Sequence, residues 1–253
     1  MTPDRAHTQA SYRVRMEWGA TGGAAAASPG GASVVVDVLS FTTTLDVAVG
    51  RGIDVLPYRW RDDGAPAYAA QHDAVLAVGR LEARSSAGVA VSLSPASLLA
   101  VDGIDRIVLP SPNGSSISFG LAGLGGTVVG GSLRNRRAVG SYVASQGGQV
   151  TVVAAGERWP DGSLRPAVED LWGAGAVLAA LVDLGVDDLS PEARAAEATF
   201  RAVQPGLHEA MCSCASGREL VTSGFAVDVA IAAQLDVSAV VPVLTGRRFT
   251  KVS

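Results

Sequence analysis

Short apolar runs alternate along the chain with longer segments whose apolar residues recur at helical spacing. The runs are rich in Val, Ile and Leu and are bounded by Gly, Pro, Asp or Ser, which is typical of strands buried on both faces. They predict strands at residues 33–38, 74–78, 106–109, 127–129, 150–154 and 239–243. The intervening segments predict helices at residues 43–50, 95–100, 115–121, 133–146, 167–184, 191–203 and 219–233. This alternation predicts a layered α/β/α fold around a mainly parallel or mixed sheet. A division of this fold into two related lobes is an alternative that the pattern also allows.

The first 32 residues read as a separate N-terminal segment. Residues 19–33 are rich in Gly, Ala and Ser and predict a loop ahead of the first buried strand. Residues 33–253 are expected to form a single α/β domain, with any two lobes meeting near residues 140–150. Apolar residues make up 48% of the chain and charged residues 17%, so a core of this size can be buried.

Composition excludes several classes of function. The net charge is −4 and no basic run occurs, so the chain lacks the electrostatic footprint of nucleic-acid binding. No apolar stretch reaches the ~20 residues of a membrane span, and the N-terminus lacks the apolar centre of a signal peptide. Cys212 and Cys214 are too close together in the sequence for a disulfide that would stabilise the fold, so we predict ordinary thiols. We expect a cytoplasmic protein that binds neither nucleic acid nor membranes. The sequence is compatible with a monomer or a homo-oligomer.

The residues that follow the first predicted strand are the first candidates for a site. Ligands of open α/β sheets bind beyond the carboxyl ends of the strands. Asp37 stands at such an end, and Thr42, Thr43 and Thr44 follow it at a helix start. Hydroxyls and free N–H groups there predict a phosphate cradle, with Asp37 binding a divalent cation or attacking phosphorus. The alternative is a plain strand end followed by helix caps.

A second loop repeats this pattern after the strand at residues 106–109. Asn113, Gly114, Ser115 and Ser116 open the next helix. Gly114 permits close approach of the backbone to a ligand, and the serines offer hydroxyls. The same residues also suit a turn with a helix cap, so both interpretations stay open.

Arginines open the helix predicted after residues 127–129. Arg134, Arg136 and Arg137 stand where the helix dipole favours acids, which indicates an anion bound against them. Asn135 is a further polar candidate. Solvated arginines on a surface helix are the alternative.

The loop after the strand at residues 150–154 concentrates charge. Glu157, Glu169 and Asp170 offer carboxylate oxygens, which are the ligands that Mg²⁺ prefers. The helix dipole also favours acids at a helix start, so it accounts in part for the presence of acids there. Arg158 and Arg165 are candidates to hold anionic substrate oxygens.

Several common nucleotide and hydrolase motifs are missing from the sequence. No Gly-x-Gly-x-x-Gly opens the first helix, and a P-loop cannot occur because Lys251 is the only lysine. No Gly-x-Ser-x-Gly elbow occurs either, so a Ser-His-Asp triad lacks support.

Several of these segments, in this order, resemble the 2-phosphosulpholactate phosphatase family. The resemblance runs from about residue 34 to residue 244 and is strongest at residues 157–175. It implies an α/β fold and Mg²⁺-dependent hydrolysis of a phosphate ester on a sulfonated lactate, a step of coenzyme M biosynthesis. The segments that carry it are DVLSFTTTL, LSP, SPNGSS, SLRNRRAV, AAGERWPDGSLRPAVEDLWGAGA and SGRELVTSGFAVDVAIAAQLDVSAVVPVL.

The residue roles follow from the loops and the resemblance together. The catalytic candidates are Asp37, Glu169 and Asp170, and these three with Glu157 are the candidates for metal binding. The candidates for substrate and phosphate binding are Thr42, Thr43, Thr44, Asn113, Gly114, Ser115, Ser116, Arg134, Asn135, Arg158 and Arg165.

The chain departs from the family pattern at four places. Ser40-Phe41 stands where the family reads Arg-Ala, Arg80 where it reads Glu, and Leu93 where it reads Asn; Pro112-Asn113-Gly114-Ser115 stands for Thr-Asn-Gly-Thr. These changes predict a divergent phosphatase that acts on the phosphate monoester of a small anionic acid. A catalytically weakened or non-catalytic protein that binds phosphorylated small acids is the alternative.

Overall fold

A computed structural model of the chain describes residues 5–59, 63–85 and 91–252. The strands are β1 (Val14–Trp18), β2 (Ala32–Val36), β3 (Asp54–Tyr58), β4 (Val75–Leu76), β5 (Arg106–Pro110), β6 (Thr127–Gly131), β7 (Val150–Ala154), β8 (Glu157–Arg158), β9 (Leu164–Arg165), β10 (Pro242–Thr245) and β11 (Arg248–Lys251). The helices are α1 (Gly19–Ala26), α2 (Phe41–Gly50), α3 (Gly64–Gln71), α4 (Arg80–Ser85), α5 (Pro95–Ala100), α6 (Gly114–Ala122), α7 (Arg136–Ser145), α8 (Val168–Asp183), α9 (Pro191–Val203), α10 (Leu207–Ser213), α11 (Ala215–Thr222) and α12 (Ala226–Ala232).

The central sheet is mixed and has the strand order β1-β7-β2-β6-β10-β11-β3-β5-β4. Strands β1, β7, β2 and β6 pair in parallel, as do β3, β5 and β4. The antiparallel hairpin β10–β11 joins these two groups, because β10 pairs with β6 and β11 pairs with β3. A separate small hairpin, β8–β9, follows β7. The predicted α/β architecture with a mixed sheet is confirmed.

Helices cover both faces of this sheet. On β2, Val34 and Val36 pack into a core with α7, α8 and α9, whereas Val35 packs into a second core with α2, α5 and α6. Successive side chains of a strand point to opposite faces, so a strand covered on both sides needs a continuous apolar run. The run of valines that predicted β2 is therefore the signature of the layered arrangement.

Two glycines bring α8 close to its neighbours. A Cβ on Gly173 would lie 2.4 Å from Cγ2 of Val38, and a Cβ on Gly175 would lie 2.1 Å from the carbonyl oxygen of Ala196. Only glycine therefore permits this approach of α8 to the end of β2 and to α9. The close packing brings the first turn of α8, with its two acids, against the loop that follows β2.

Several elements differ from the prediction: strands β1, β3, β8, β9 and β11 and helices α3, α4 and α10 were not predicted, and the strand expected at residues 239–243 begins at Pro242. The loop expected at residues 19–33 is wrong over α1, because its small residues pack closely; a Cβ on Gly23 would lie 3.0 Å from Val153. The helix expected at residues 219–233 is divided into α11 and α12 near Gly224, whose φ is +84°. The helix expected from residue 133 starts at Arg136. The domain boundary at residue 33 and the lobes meeting near residues 140–150 stay predictions. No helix of the described ranges is long and apolar enough to cross a membrane.

Candidate active site

Four carboxyl groups lie close together beyond the ends of β2 and β7. Asp37 follows β2, Glu157 opens the hairpin after β7, and Glu169 and Asp170 lie in the first turn of α8. Asp37, Glu169 and Asp170 are buried, and Glu157 is half-buried. Their negative charges act on one another across the cluster. The structure thus brings together all four acids that the sequence singled out, and we call them the carboxylate cluster.

Backbone N–H groups hold both carboxylate oxygens of Asp37. Oδ1 accepts hydrogen bonds from the N–H groups of Ser40 at 3.0 Å and Phe41 at 3.2 Å, and Oδ2 accepts one from Gly114 at 3.0 Å. Burial raises the pKa of Asp37, and the charge of Glu169 adds to the rise, while the three N–H groups oppose it. The three bonds fix the orientation of the side chain.

Asp170 ties two neighbouring strand ends together. Its Oδ1 accepts a hydrogen bond from the N–H of Val38 at 2.7 Å, and its Oδ2 accepts one from Gly156 at 2.8 Å. Burial raises the pKa of Asp170 well above its ordinary value, and the charges of Asp37 and Glu169 raise it further. Asp170 therefore sets the geometry of the loops that carry Asp37 and Glu157.

Glu157 is the most accessible acid of the carboxylate cluster. Its Oε2 accepts a hydrogen bond from Nδ2 of Asn113 at 3.0 Å, which links the hairpin to the start of α6. Burial, with the charges of Asp37 and Glu169, raises the pKa of Glu157 to about 7; Asn113 and Arg165 oppose the rise. The side chain lines a cavity of about 280 Å³.

The three threonines at the start of α2 are fully buried. The hydroxyl of Thr42 donates to the carbonyl of Asp37 at 2.8 Å, that of Thr43 to Val38 at 2.8 Å, and that of Thr44 to Leu93 at 2.9 Å. The hydroxyls of Thr42 and Thr43 hold the junction between β2 and α2, that of Thr44 bonds to the segment before α5, and none of the three residues lines the cavity beside Glu157. Their predicted role as phosphate ligands stays a prediction.

The serines of the second loop have similar structural contacts. The hydroxyl of Ser115 donates to the carbonyl of Leu109 at 2.9 Å, and that of Ser116 donates to Arg59 at 3.1 Å. Gly114 and Asn113 of the same loop contact the carboxylate cluster directly. The loop therefore contacts the carboxylate cluster through the backbone N–H of Gly114 and the side-chain amide of Asn113. Its serine hydroxyls bond to backbone carbonyl oxygens instead.

Arg134 and Asn135 have partners on other elements. Nε of Arg134 lies 2.8 Å from Oδ2 of Asp46 on α2. Oδ1 of Asn135 accepts from the N–H of Ser132 at 2.8 Å, and its amide donates to the carbonyl of Val240 at 3.0 Å. These contacts do not bring either residue into hydrogen-bonding contact with the carboxylate cluster, so their expected role in substrate binding stays a prediction.

Arg136 and Arg137 also have a carboxylate partner within the chain. Nη2 of Arg136 lies 2.8 Å from Oδ2 of Asp236, and Nε of Arg137 lies 3.2 Å from the same oxygen. A side chain of the protein therefore offsets the charge at the start of α7, where the sequence pattern indicated a bound anion.

Arg158 and Arg165, by contrast, flank the carboxylate cluster on the hairpin. Arg158 donates to the carbonyl oxygens of Gly162 at 3.2 Å and Pro112 at 3.1 Å. Arg165 acts electrostatically on Glu157, and its guanidinium donates to Oγ of Ser216 at 3.2 Å. Arg165 thus stands beside Glu157, and Arg158 lines the same cavity as Glu157.

The comparison with known families decides the class of this site. The family model of 2-phosphosulpholactate phosphatase matches residues 23–247. The chain belongs to this family. The match covers nearly the whole chain and includes the entire carboxylate cluster, so the resemblance seen in the sequence is confirmed. Members of the 2-phosphosulpholactate phosphatase family are phosphoric monoester hydrolases, and this chain falls in that enzyme class.

The departures from the family pattern have clear structural partners in this phosphatase. Nε of Arg80 forms an ion pair with Oδ2 of Asp228 at 2.7 Å, and Oδ1 of Asp228 accepts from Oγ of Ser94 at 2.6 Å. Phe41 is buried and packs edge-on against Phe249, with 6.1 Å between the ring centroids. The changed residues therefore form part of the packing around α2 and α5.

One contact of the phosphatase site had no signal in the sequence. The thiol of Cys214 donates to the carbonyl oxygen of Met211 at 3.2 Å, and burial together with the charge of Glu169 raises the pKa of Cys214 to about 12. Cys214 therefore stays a protonated thiol beside the carboxylate cluster. The sequence pattern predicted only an ordinary thiol there, because Cys214 and Glu169 lie far apart along the chain.

The donor set of the carboxylate cluster suits a hard cation. Its oxygens are of the kind that Mg²⁺ prefers, and their mutual repulsion is what a divalent cation relieves. Within residues 5–59, 63–85 and 91–252, no three His, Cys, Asp or Glu side chains are arranged as a ready metal site. Mg²⁺ needs only one or two carboxylates when substrate phosphate and water complete its shell. The residues present therefore fit this ion.

Proposed function

We propose that this protein is a Mg²⁺-dependent phosphatase that hydrolyses the phosphate monoester of a small anionic acid. The observation that carries the proposal is the convergence of four acids from three separate segments, one of which, Glu157, lines a cavity. Burial raises the pKa of Asp37, Glu157 and Asp170; such buried acids are costly to the fold and occur mainly where chemistry needs them. Membership of the phosphatase family agrees with this reading.

Mg²⁺ would be held by Glu157 and Glu169, and Asp37 and Asp170, the other two predicted metal ligands, would add negative charge around it. Backbone N–H groups occupy both oxygens of each aspartate, so the two glutamates have the freer oxygens. When bound, the ion would offset the charge of the phosphoryl oxygens and of the acids around it.

Asp37 has two candidate roles in the reaction. Its fixed carboxylate orients and activates the attacking water in the first. In the second it attacks phosphorus: an O–P bond to Asp37 forms, the P–O bond of the ester breaks, and the leaving alkoxide takes a proton; water then releases phosphate. Borohydride trapping of an acid-quenched single turnover separates the two, because it reduces only an aspartyl phosphate.

Arg158 and Arg165 supply the positive charge that an anionic substrate needs beside four acids. Guanidinium groups bind carboxylate and phosphate oxygens through paired N–H donors. Hydrolysis needs these contacts to hold the ester while the cluster acts on phosphorus.

Release of inorganic phosphate from a panel of small phosphorylated acids tests the proposal. We expect release with Mg²⁺ and its loss with EDTA.

The second candidate is a protein that binds phosphorylated acids without turnover; the replacement of the family's Arg and Glu by Ser40 and Arg80 favours it. Thermal stabilisation by these acids without any phosphate release would support the second candidate and contradict the first.

A further inference from the structure

We propose that a second cavity, on the far side of the sheet from the carboxylate cluster, binds the diphosphate group of an anionic ligand. This cavity has a volume of about 430 Å³ and lies between the end of α3, the start of β5 and the turn of the β10–β11 hairpin. Three arginines line it: Arg106, Arg247 and Arg248. We call it the arginine cavity. Its volume falls within the range of about 300–1,000 Å³ that is usual for small-molecule sites.

The strand pattern places the arginine cavity on a face of the sheet that the core around α2 does not use. Val55 of β3 and Phe249 of β11 are register partners, and both point into the core with α2, α5 and α6. Successive side chains of a strand point to opposite faces, so Leu56 and Arg248 lie on the other face. Helix α3 packs on that face through Ala69, and its end borders the cavity. Buried Leu56 thus forms an apolar base under a charged rim.

Positive charge dominates the arginine cavity. Nη1 of Arg248 lies 2.9 Å from Oδ2 of Asp54 and is offset by it. Arg106 and Arg247, by contrast, form no ion pair within residues 5–59, 63–85 and 91–252. Of the described residues that line the cavity, Asp73 is the one acid. An anionic ligand would therefore supply the charge that the two arginines lack.

The arrangement of these groups suits two linked phosphates. Guanidinium groups bind phosphate oxygens through paired N–H donors. Arg106 is held on β5, where its Nη1 donates to the carbonyl of His72 at 3.3 Å, and Arg247 stands on the hairpin turn. The ring of His72 also lines the cavity and lies 4.5 Å from the ring of Tyr68, measured between centroids. The shared chemistry is a diphosphate, supplied free or by a nucleoside diphosphate whose base stacks on His72.

Strand β5 separates the arginine cavity from the carboxylate cluster. Arg106 is its first residue and Pro110 its last, and Asn113, which bonds to Glu157, follows in the next loop. A strand of this length spans roughly 13 Å. Of the described residues that line the arginine cavity, none belongs to the carboxylate cluster or lines the cavity beside Glu157. A ligand bound there leaves the cluster free.

Isothermal titration calorimetry with pyrophosphate in EDTA tests the assignment, because EDTA removes any Mg²⁺ through which the probe would bind the carboxylate cluster. We expect saturable binding at one site. Arg247→Gln should raise Kd about 10- to 100-fold, the effect of one lost hydrogen bond to a charged group. Asp73→Asn removes the acid of the lining and should lower Kd. Arg194→Gln, an exposed arginine on α9, is the control and should leave Kd unchanged.

ADP, measured in the same way, separates the two sources of the diphosphate group. A Kd below that of pyrophosphate, raised again in His72→Ala, supports a nucleoside diphosphate as the ligand; an equal or higher Kd supports free diphosphate. Failure of both probes to saturate, or the same Kd in wild type and Arg247→Gln, would overturn the site. Asp37→Asn should bind pyrophosphate as the wild type does. Loss of binding in that variant would place the probe at the carboxylate cluster and would also overturn the inference.

Discussion

The backbone N–H of Gly114 donates a hydrogen bond to Oδ2 of Asp37 at 3.0 Å, across 77 positions of the sequence. This contact depends on the missing side chain, because a Cβ on Gly114 would lie 2.3 Å from Cδ1 of Phe41 and 2.9 Å from Oδ2 of Asp37. We predict that Gly114→Ala lowers the free energy of unfolding by about 1–3 kcal/mol through overpacking and also lowers kcat. Urea unfolding and phosphate-release assays measure the two effects.

Gly120 on the same helix is the matched control. A Cβ there has nothing within 4 Å, so Gly120→Ala should stabilise α6 by about 0.5–1 kcal/mol and leave kcat unchanged. Equal stability and activity in the two alanine variants would contradict the close approach of Gly114 to Asp37.

A second prediction concerns the threonines of α2. Thr43 is fully buried and its hydroxyl donates to the carbonyl of Val38. Thr43→Val should therefore lower the free energy of unfolding by about 1 kcal/mol and leave KM for phosphorylated acids near the wild-type value. Thr43→Ser keeps the hydroxyl and should recover most of the stability. A large rise in KM at unchanged stability would instead identify the hydroxyl as a phosphate ligand.

The raised pKa of Glu157 predicts how stability depends on pH. An unfolded glutamate has a pKa of 4.5, and the folded value is about 7. Between these values the folded protein keeps a proton that the unfolded chain has lost, so stability falls as pH rises through this window. The shift corresponds to at most about 3 kcal/mol. The free energy of unfolding, measured by urea titration in EDTA from pH 5 to 8, should fall accordingly.

The variant Glu157→Gln provides the comparison for the pH effect. It lacks the titrating group, so its stability should vary less with pH over the same range. Added Mg²⁺ should raise the stability of the wild type most at the high-pH end, where the cluster is most negative. A wild-type stability that rises with pH between 5 and 7 would be inconsistent with the environment of Glu157.

Much of the architecture was readable from local patterns. The strand at residues 150–154 and the helices at residues 95–100 and 191–203 were predicted at their observed bounds, because apolar runs, prolines and capping serines mark them. Strand β1 and helix α1 were missed. The sequence VRMEW of β1 mixes charged and apolar residues, and the Gly and Ala residues of α1 form a helix only through packing against Val153 and Leu121.

The acids of the site could also be predicted, since strand ends concentrate ligand-binding groups. Their partners could not, because the groups that hold Asp37 and Asp170 are backbone N–H groups that every residue carries. The threonine cluster looked like a cradle for the same reason: sequence shows hydroxyls but not the carbonyls they bind. Electrostatic interactions between distant segments, such as that of Glu169 with Cys214, depend on tertiary packing alone.

The rate of phosphate release by Asp37→Asn, in the presence of Mg²⁺, tests the central claim most directly. Asp46→Asn is the matched control, because Asp46 is an equally buried acid of the same region that pairs with Arg134 outside the carboxylate cluster. We predict that Asp37→Asn lowers kcat by at least about 100-fold. Asp46→Asn should lose stability but keep kcat within a few-fold of the wild type. Wild-type turnover in Asp37→Asn, or an equal loss in both variants measured on folded protein, would contradict the assignment of the carboxylate cluster as the catalytic centre.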